Sequence, residues 1–125
     1  LDIFGKTAVH VLALDERIRE AARALDPSRF TVAFSSNRAE AIAAVDSARP
    51  DIVVIDLVLG GFDVARDLRA RPHLDVKLVM FCDRPHDKWL CRQAGAQEVI
   101  VKPLADLDSL LQAVESAMKT SSPLP

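Results

Sequence analysis

Two rhythms of apolar and polar positions alternate along the chain. Apolar runs of strand length fall over 7–14, 30–35, 52–55, 76–82 and 99–101. Between them lie segments with the 3.6-residue period of an amphipathic helix. The first such segment, 15–25, puts Ile18, Ala21, Ala22 and Leu25 on one stripe, and Asp26-Pro27-Ser28 ends it. Asn37 is placed to cap the second, with Glu40 three residues on as a capping box, and Pro50 stops it after Ala48. A third short helix follows Gly60-Gly61, with Val64, Ala65 and Leu68 inward and Pro72 marking its end. Pro85 opens a fourth, which Gly95 closes. Leu107, Leu110, Leu111, Val114 and Met118 form the stripe of the last.

Five strands and five helices in strict alternation predict a parallel sheet with right-handed crossovers and helices on both faces. The β-branched run Ile52–Ile55 reads as a central strand buried on both sides. Ligands in such sheets bind at the carboxyl ends of the strands, so chemistry is sought there.

Composition narrows the class. The 125 residues suit one domain, half are hydrophobic, and the formal net charge is −2. Lys and Arg are scattered, so no nucleic-acid surface is expected. No apolar run approaches the ~20 residues of a membrane span, and no secretory signal is visible, so a cytoplasmic protein is expected. Cys82 and Cys91 fit no redox or zinc spacing and are read as buried, reduced thiols. His10, His73 and His86 share no metal-ligand spacing; His10 is read as a strand residue and the others as surface. Residues 1–6 read as an N-terminal extension, 7–119 as the domain, and 120–125 as the start of a linker. The first residue is Leu, which fits a piece of a longer protein. Trp89, the only Trp, is expected in or beside the core.

Charged residues fall at three strand ends: Asp15 and Glu16 after the first, Asp56 after the third, and Lys102-Pro103 after the fifth. The segment Pro50-Asp51-Ile52-Val53-Val54-Ile55-Asp56-Leu57 resembles the phosphoacceptor strand of response-regulator receiver domains. Gly60-Gly61-Phe62-Asp63 is similar to the loop after it, though the family usually has Pro where Gly60 stands. Ala94-Gly95-Ala96 and Val101-Lys102-Pro103-Leu104 resemble the family's final βα junction. The resemblance covers roughly residues 7 to 119. It implies a flavodoxin-like, doubly wound sheet of order 2-1-3-4-5, with Asp56 as phosphoacceptor, Lys102 pairing with the phosphoryl oxygens, and a cis Lys102–Pro103 bond. It also implies Mg²⁺ as cofactor, a hard cation suited to carboxylates and phosphate oxygens. A histidine kinase or another signalling protein is the implied partner, and dimerisation through the fourth and fifth helices is common in the family.

The departures are equally specific. The family's adjacent acids at the end of strand one hold the Mg²⁺. Matching the first helix by its stripe puts Ala13 and Leu14 there, with Asp15 just after. Sliding by two residues puts Asp15 and Glu16 there instead, but turns Glu20 toward the core. Asp56, with Asp15 or Glu16, is then the candidate metal set. The family's hydroxyl at the end of strand four is replaced by Cys82, a weak donor, and its aromatic switch residue on strand five by Val99. Two readings stay open: a working phosphoacceptor, and a degenerate receiver used for docking or dimerisation. Enzymatic alternatives fit less well. Phosphatases of the haloacid dehalogenase type need an acid where Val58 stands, a flavin binder wants hydroxyls where Asp15-Glu16-Arg17 stand, and no Gly-rich phosphate loop precedes a helix.

Overall fold

The computed structural model describes residues 5–71 and 74–119. In chain order the elements are β1 (Thr7–Leu12), α1 (Glu16–Arg23), β2 (Phe30–Ser35), α2 (Arg38–Ala48), β3 (Ile52–Asp56), a 3₁₀ turn (Leu57–Leu59), α3 (Gly61–Arg69), β4 (Lys77–Cys82), α4 (Asp87–Gln93), β5 (Glu98–Val101) and α5 (Asp108–Lys119). All strand pairs are parallel, in the order β2-β1-β3-β4-β5. This is the expected doubly wound sheet.

Side-chain alternation along the strands divides the core into two layers. Val9, Val11, Val54, Val79 and Phe81 face α1 and α5, where Ile18, Ala21, Ala22, Leu110 and Val114 meet them. Leu12, Val53, Ile55, Leu78 and Met80 face the other way, against Ala41, Val45, Val64, Ala65, Leu68 and Cys91 of α2, α3 and α4. Every residue of β3 is buried, as its unbroken apolar run requires. Each fully buried Leu, Ile or Val contributes roughly 1.5–3 kcal/mol over exposure, so the two layers hold the strand ends in fixed register.

Several boundaries differ from the sequence reading. β1 ends at Leu12, because Ala13 and Leu14 leave the ladder to bring Asp15 to the cap of α1. Asn37 caps α2, accepting from the Glu40 N–H at 2.9 Å, but the Glu40 carboxylate accepts from the N–H of Ser36, one residue before the cap. Pro85 lies in the turn before α4, which starts only at Asp87. That helix has seven residues and buries one narrow face through Asp87 and Cys91. Trp89 therefore points outward and is 66% exposed, not in or beside the core. Leu107 precedes α5 and Met118 lies in its last turn; both are exposed, so the core stripe is shorter than expected. Pro72, His73, residues 1–4 and the linker expected at 120–125 lie outside the described residues. No helix among the described residues is long and apolar enough to cross a membrane.

Two glycines are required by the backbone. Gly60 closes the 3₁₀ turn at φ +77°, a conformation closed to the Pro that the family usually carries there. Gly95 ends α4 at φ +109°, and a Cβ there would sit 2.4 Å from the Arg69 Nε. Arg69 spans that turn, donating to the carbonyls of Val76 and Gly95 and to Gln97.

Candidate functional site

The carboxyl ends of β1, β3, β4 and β5 form one rim. β3 brings Asp56 to it, rigidly, because four buried residues precede it in the central strand. β5 brings Lys102, whose backbone N–H donates to the Cys82 carbonyl at 2.8 Å and so locks the two strand ends together. The Lys102–Pro103 peptide is cis.

The two side chains meet. Lys102 Nζ lies 2.9 Å from Asp56 Oδ1 and 3.0 Å from Oδ2. The Val58 N–H also donates to Oδ1, at 3.3 Å. Asp56 is 1% exposed and the Lys102 side chain 17%, so a low-dielectric setting strengthens the pair and makes its loss costly. A third group joins: Asp83 Oδ1 lies 3.3 Å from Lys102 Nζ, on a side chain that is 65% exposed. Burial works against the Lys102 ammonium, but the hydrogen bonds and charges of Asp56 and Asp83 outweigh it and hold its pKa above the ordinary lysine value.

Asp15 and Glu16 have other partners than Asp56. Asp15 Oδ1 accepts from the backbone N–H groups of Arg17 and Ile18 at 2.9 and 3.4 Å, the geometry of a helix N-cap. Glu16 is paired with Arg23, about two turns along α1. Register settles which residues flank Asp56. Leu12 pairs with Ile55 across β1 and β3, so Ala13 follows beside Asp56. Ala13 is fully buried, Leu14 is 58% exposed, and Glu20 is exposed. That is the arrangement of the first register, with Ala13 and Leu14 where acids were sought.

The three predicted carboxylates therefore share no partner. Among the described residues no group of three or more His, Cys, Asp or Glu is placed to hold a metal ion. Mg²⁺ needs near-octahedral oxygen donors, and the side chains at 13 and 14 have none. The residues present do not fit a carboxylate-held Mg²⁺.

Cys82 and Val99 stand on neighbouring strands. Cys82 is buried, and its thiol donates to the Arg84 carbonyl at 3.4 Å. Burial raises its pKa, and Cys91 behind it is pushed up to about 12, again mainly by burial. Val99 is half-buried, opposite Met80 in the β4–β5 register. His10 lies buried under the other side of the rim, with Nε2 2.9 Å from Ser35 Oγ.

Three residues escaped the sequence reading. Asp83 is the first. Its signal was its place directly after Cys82, whose strand neighbour Val101 precedes Lys102. Arg19 Nε donates to the Ala13 carbonyl at 2.6 Å, fastening the end of β1. Arg17 donates to the Leu104 carbonyl at 3.1 Å, tying α1 to the segment after β5. Between these elements lies an open cleft of about 380 Å³, lined by Asp15, Arg17, Asp83, Lys102 and Leu104 among others. Asp56 lies outside this lining, and Lys102 is the only member of the buried pair that reaches it.

Comparisons with known proteins agree with this architecture. The family model described as "Response regulator receiver domain" matches residues 14–115. The transcriptional regulatory protein PrrA of Mycobacterium tuberculosis is 33% identical over 120 residues, which cover 88% of this chain and 51% of that protein. The chain thus spans about half the length of the curated relatives it matches. Among solved structures, a response regulator from Thermotoga maritima superposes with a TM-score of 0.77 at 23% identity, covering 92% of this chain and 99% of that one. The receiver domain of the sensor histidine kinase PA1611 from Pseudomonas aeruginosa, whose active-site cleft coordinates a magnesium ion, superposes at 0.76 with 18% identity, over 92% and 99% of the two chains. On the family match and the fold together, this chain belongs to the response regulator receiver domains, the signalling modules of two-component systems.

Proposed function

We propose that this receiver signals by docking to a partner, in the cytoplasm, without phosphorylation of Asp56. One observation carries the reading. Asp56 is 1% exposed with both oxygens on Lys102, and the neighbouring position that would supply a metal-binding acid is the buried Ala13. Phosphoryl transfer to a carboxylate depends on a cation to offset charge on the transferring group and on an acceptor oxygen open to attack. At this rim the only cation on Asp56 is Lys102 itself, which takes both acceptor oxygens, and Ala13 offers no ligand for a divalent ion. The partner is a histidine kinase, another two-component protein or a second copy. Trp89 and Leu90 on α4 offer exposed apolar surface for it, and an aromatic of this kind suits a contact centre.

A second reading has its own support. Asp56 and Lys102 are paired as an acceptor and its lysine would be, so Asp56 is the residue that would carry a phosphoryl group. The deciding experiment adds beryllofluoride and Mg²⁺ and follows backbone amide signals. Docking without phosphorylation expects no saturable change at Asp56, Cys82 or Lys102. Saturable shifts at those three would overturn it in favour of the phosphoacceptor.

A further inference from the structure

We infer that Asp83 is a positioning residue that holds Lys102 between two carboxylates and thereby keeps oxyanions out of the rim cleft. The inference rests on the docking reading and supplies a physical reason for it.

Lys102 has one ammonium and two acidic neighbours. Asp56, which does not line the cleft, holds it at 2.9 and 3.0 Å, and Asp83, which does, lies 3.3 Å from it. The cleft of about 380 Å³ touches Lys102 and Asp83 but not Asp56. A phosphate-like anion entering it would need the outward-facing N–H of Lys102, and Asp83 already occupies that direction. It would also meet the Asp83 charge within a few ångströms, a repulsion that a partly water-filled cleft weakens but does not remove. Arg17, the other cation lining the cleft, gives one donor, Nη2, to the Leu104 carbonyl, and Asp15 adds a second acid to the lining. Without Asp83, one ammonium would remain with a free donor in a cleft large enough for a tetrahedral anion.

The test uses inorganic phosphate as the probe, without Mg²⁺ or a phosphodonor, and reads its affinity from amide shifts at Asp83, Lys102 and Leu104. Asp83 is mostly exposed, so its replacement leaves the core intact. Asp83→Asn is expected to bind phosphate about tenfold more tightly than wild type, a difference of about 1.4 kcal/mol. Asp83→Glu, which restores the charge and reaches the same ammonium, is expected to return the affinity to the wild-type level. A purely structural role would weaken binding or leave it unchanged in both variants. An Asn variant that binds phosphate no better than wild type overturns the inference, as does a Glu variant that binds like the Asn variant. Because no phosphodonor is present, either failure leaves the docking reading standing. A beryllofluoride response in the wild type would remove that reading while the phosphate affinities still judge Asp83.

Discussion

The rim has two halves that treat charge in opposite ways. On β3 and β5 an acid and an amine survive together, buried and mutually hydrogen-bonded. On β1 and β4 the corresponding places are filled by Ala13, Leu14 and Cys82, which carry no charge and no strong donor. Energetics accounts for the contrast. A buried ion pair cannot lose one member cheaply, because the other is left unpaired in a poor solvent. Residues that serve a metal or a phosphoryl group have no such hold on the fold. Replacing a rim acid by a buried Ala removes a desolvation cost and adds apolar contact. The β3–β5 half is thus tied to stability, whereas the β1–β4 half is free to change once its chemistry is not needed.

The largest test breaks the paired half. Lys102→Ala strands Asp56 in the core and is expected to cost about 3 kcal/mol, the low end for a broken buried pair because Lys102 keeps some water contact. Urea denaturation measures it. The double variant Asp56→Ala/Lys102→Ala is expected to recover more than half of that loss, since no charge is left unpaired. A double variant as unstable as the single would show that the pair is not what sets the cost.

The next test charges the unpaired half. Ala13→Asp places a carboxylate beside Asp56 at a fully buried position. In chelator it is expected to cost about 2 kcal/mol, the scale of a buried polar group without a partner. With millimolar Mg²⁺ present, part of that loss should return, because two adjacent carboxylates give the cation a foothold and ligand binding stabilises the folded state. Wild type should show no such Mg²⁺ dependence. If wild type were stabilised by Mg²⁺ as strongly as Ala13→Asp, the contrast between the halves would dissolve.

Much of this layout was legible in the chain. The unbroken run Ile52–Ile55 announced a strand that delivers Asp56 rigidly, and Lys102-Pro103 after a short apolar strand announced its partner, since parallel topology puts both at one edge. The stripes of α1 and α3 were readable because small and aliphatic residues repeat at helical spacing; all of Ile18, Ala21, Ala22, Val64, Ala65 and Leu68 are buried. Asp83 had only a faint signal, its place at a strand end, because an exposed acid after a strand looks like any solvated loop residue until the fold brings Lys102 to it. Trp89 misled for a related reason. Hydrophobicity argues for burial, but a helix of seven residues has room for only one inward face, and Cys91 occupies it.

A smaller effect comes from pH. The Lys102 pKa is raised above 10.5 in the folded protein by Asp56 and Asp83, despite burial. A raised value means the folded state holds the proton more tightly than the unfolded one. The stabilisation is therefore complete below pH 10.5 and is lost as pH climbs through the folded value. Wild type should lose stability in that alkaline window faster than the Asp56→Ala/Lys102→Ala variant. Parallel curves would mean the ammonium gains nothing from its neighbours.

The smallest test concerns Asp15, the first of the two acids after β1 in the candidate metal set. Its carboxylate serves the first turn of α1, accepting from the N–H groups of Arg17 and Ile18. Asp15→Ala should thus cost about 1 kcal/mol, the usual loss for a helix cap, and the loss should be the same with Mg²⁺ or with chelator. Asp15→Asn or Ser should restore most of it, because either can accept the same hydrogen bonds. A metal ligand would behave otherwise: Ser would fail as badly as Ala, and the difference from wild type would grow with Mg²⁺. Glu16→Gln provides the baseline, since an exposed pair with Arg23 contributes little in water. Agreement of Asp15 with the capping pattern would make its place in the lining of the rim cleft that of a helix cap and not of a metal ligand.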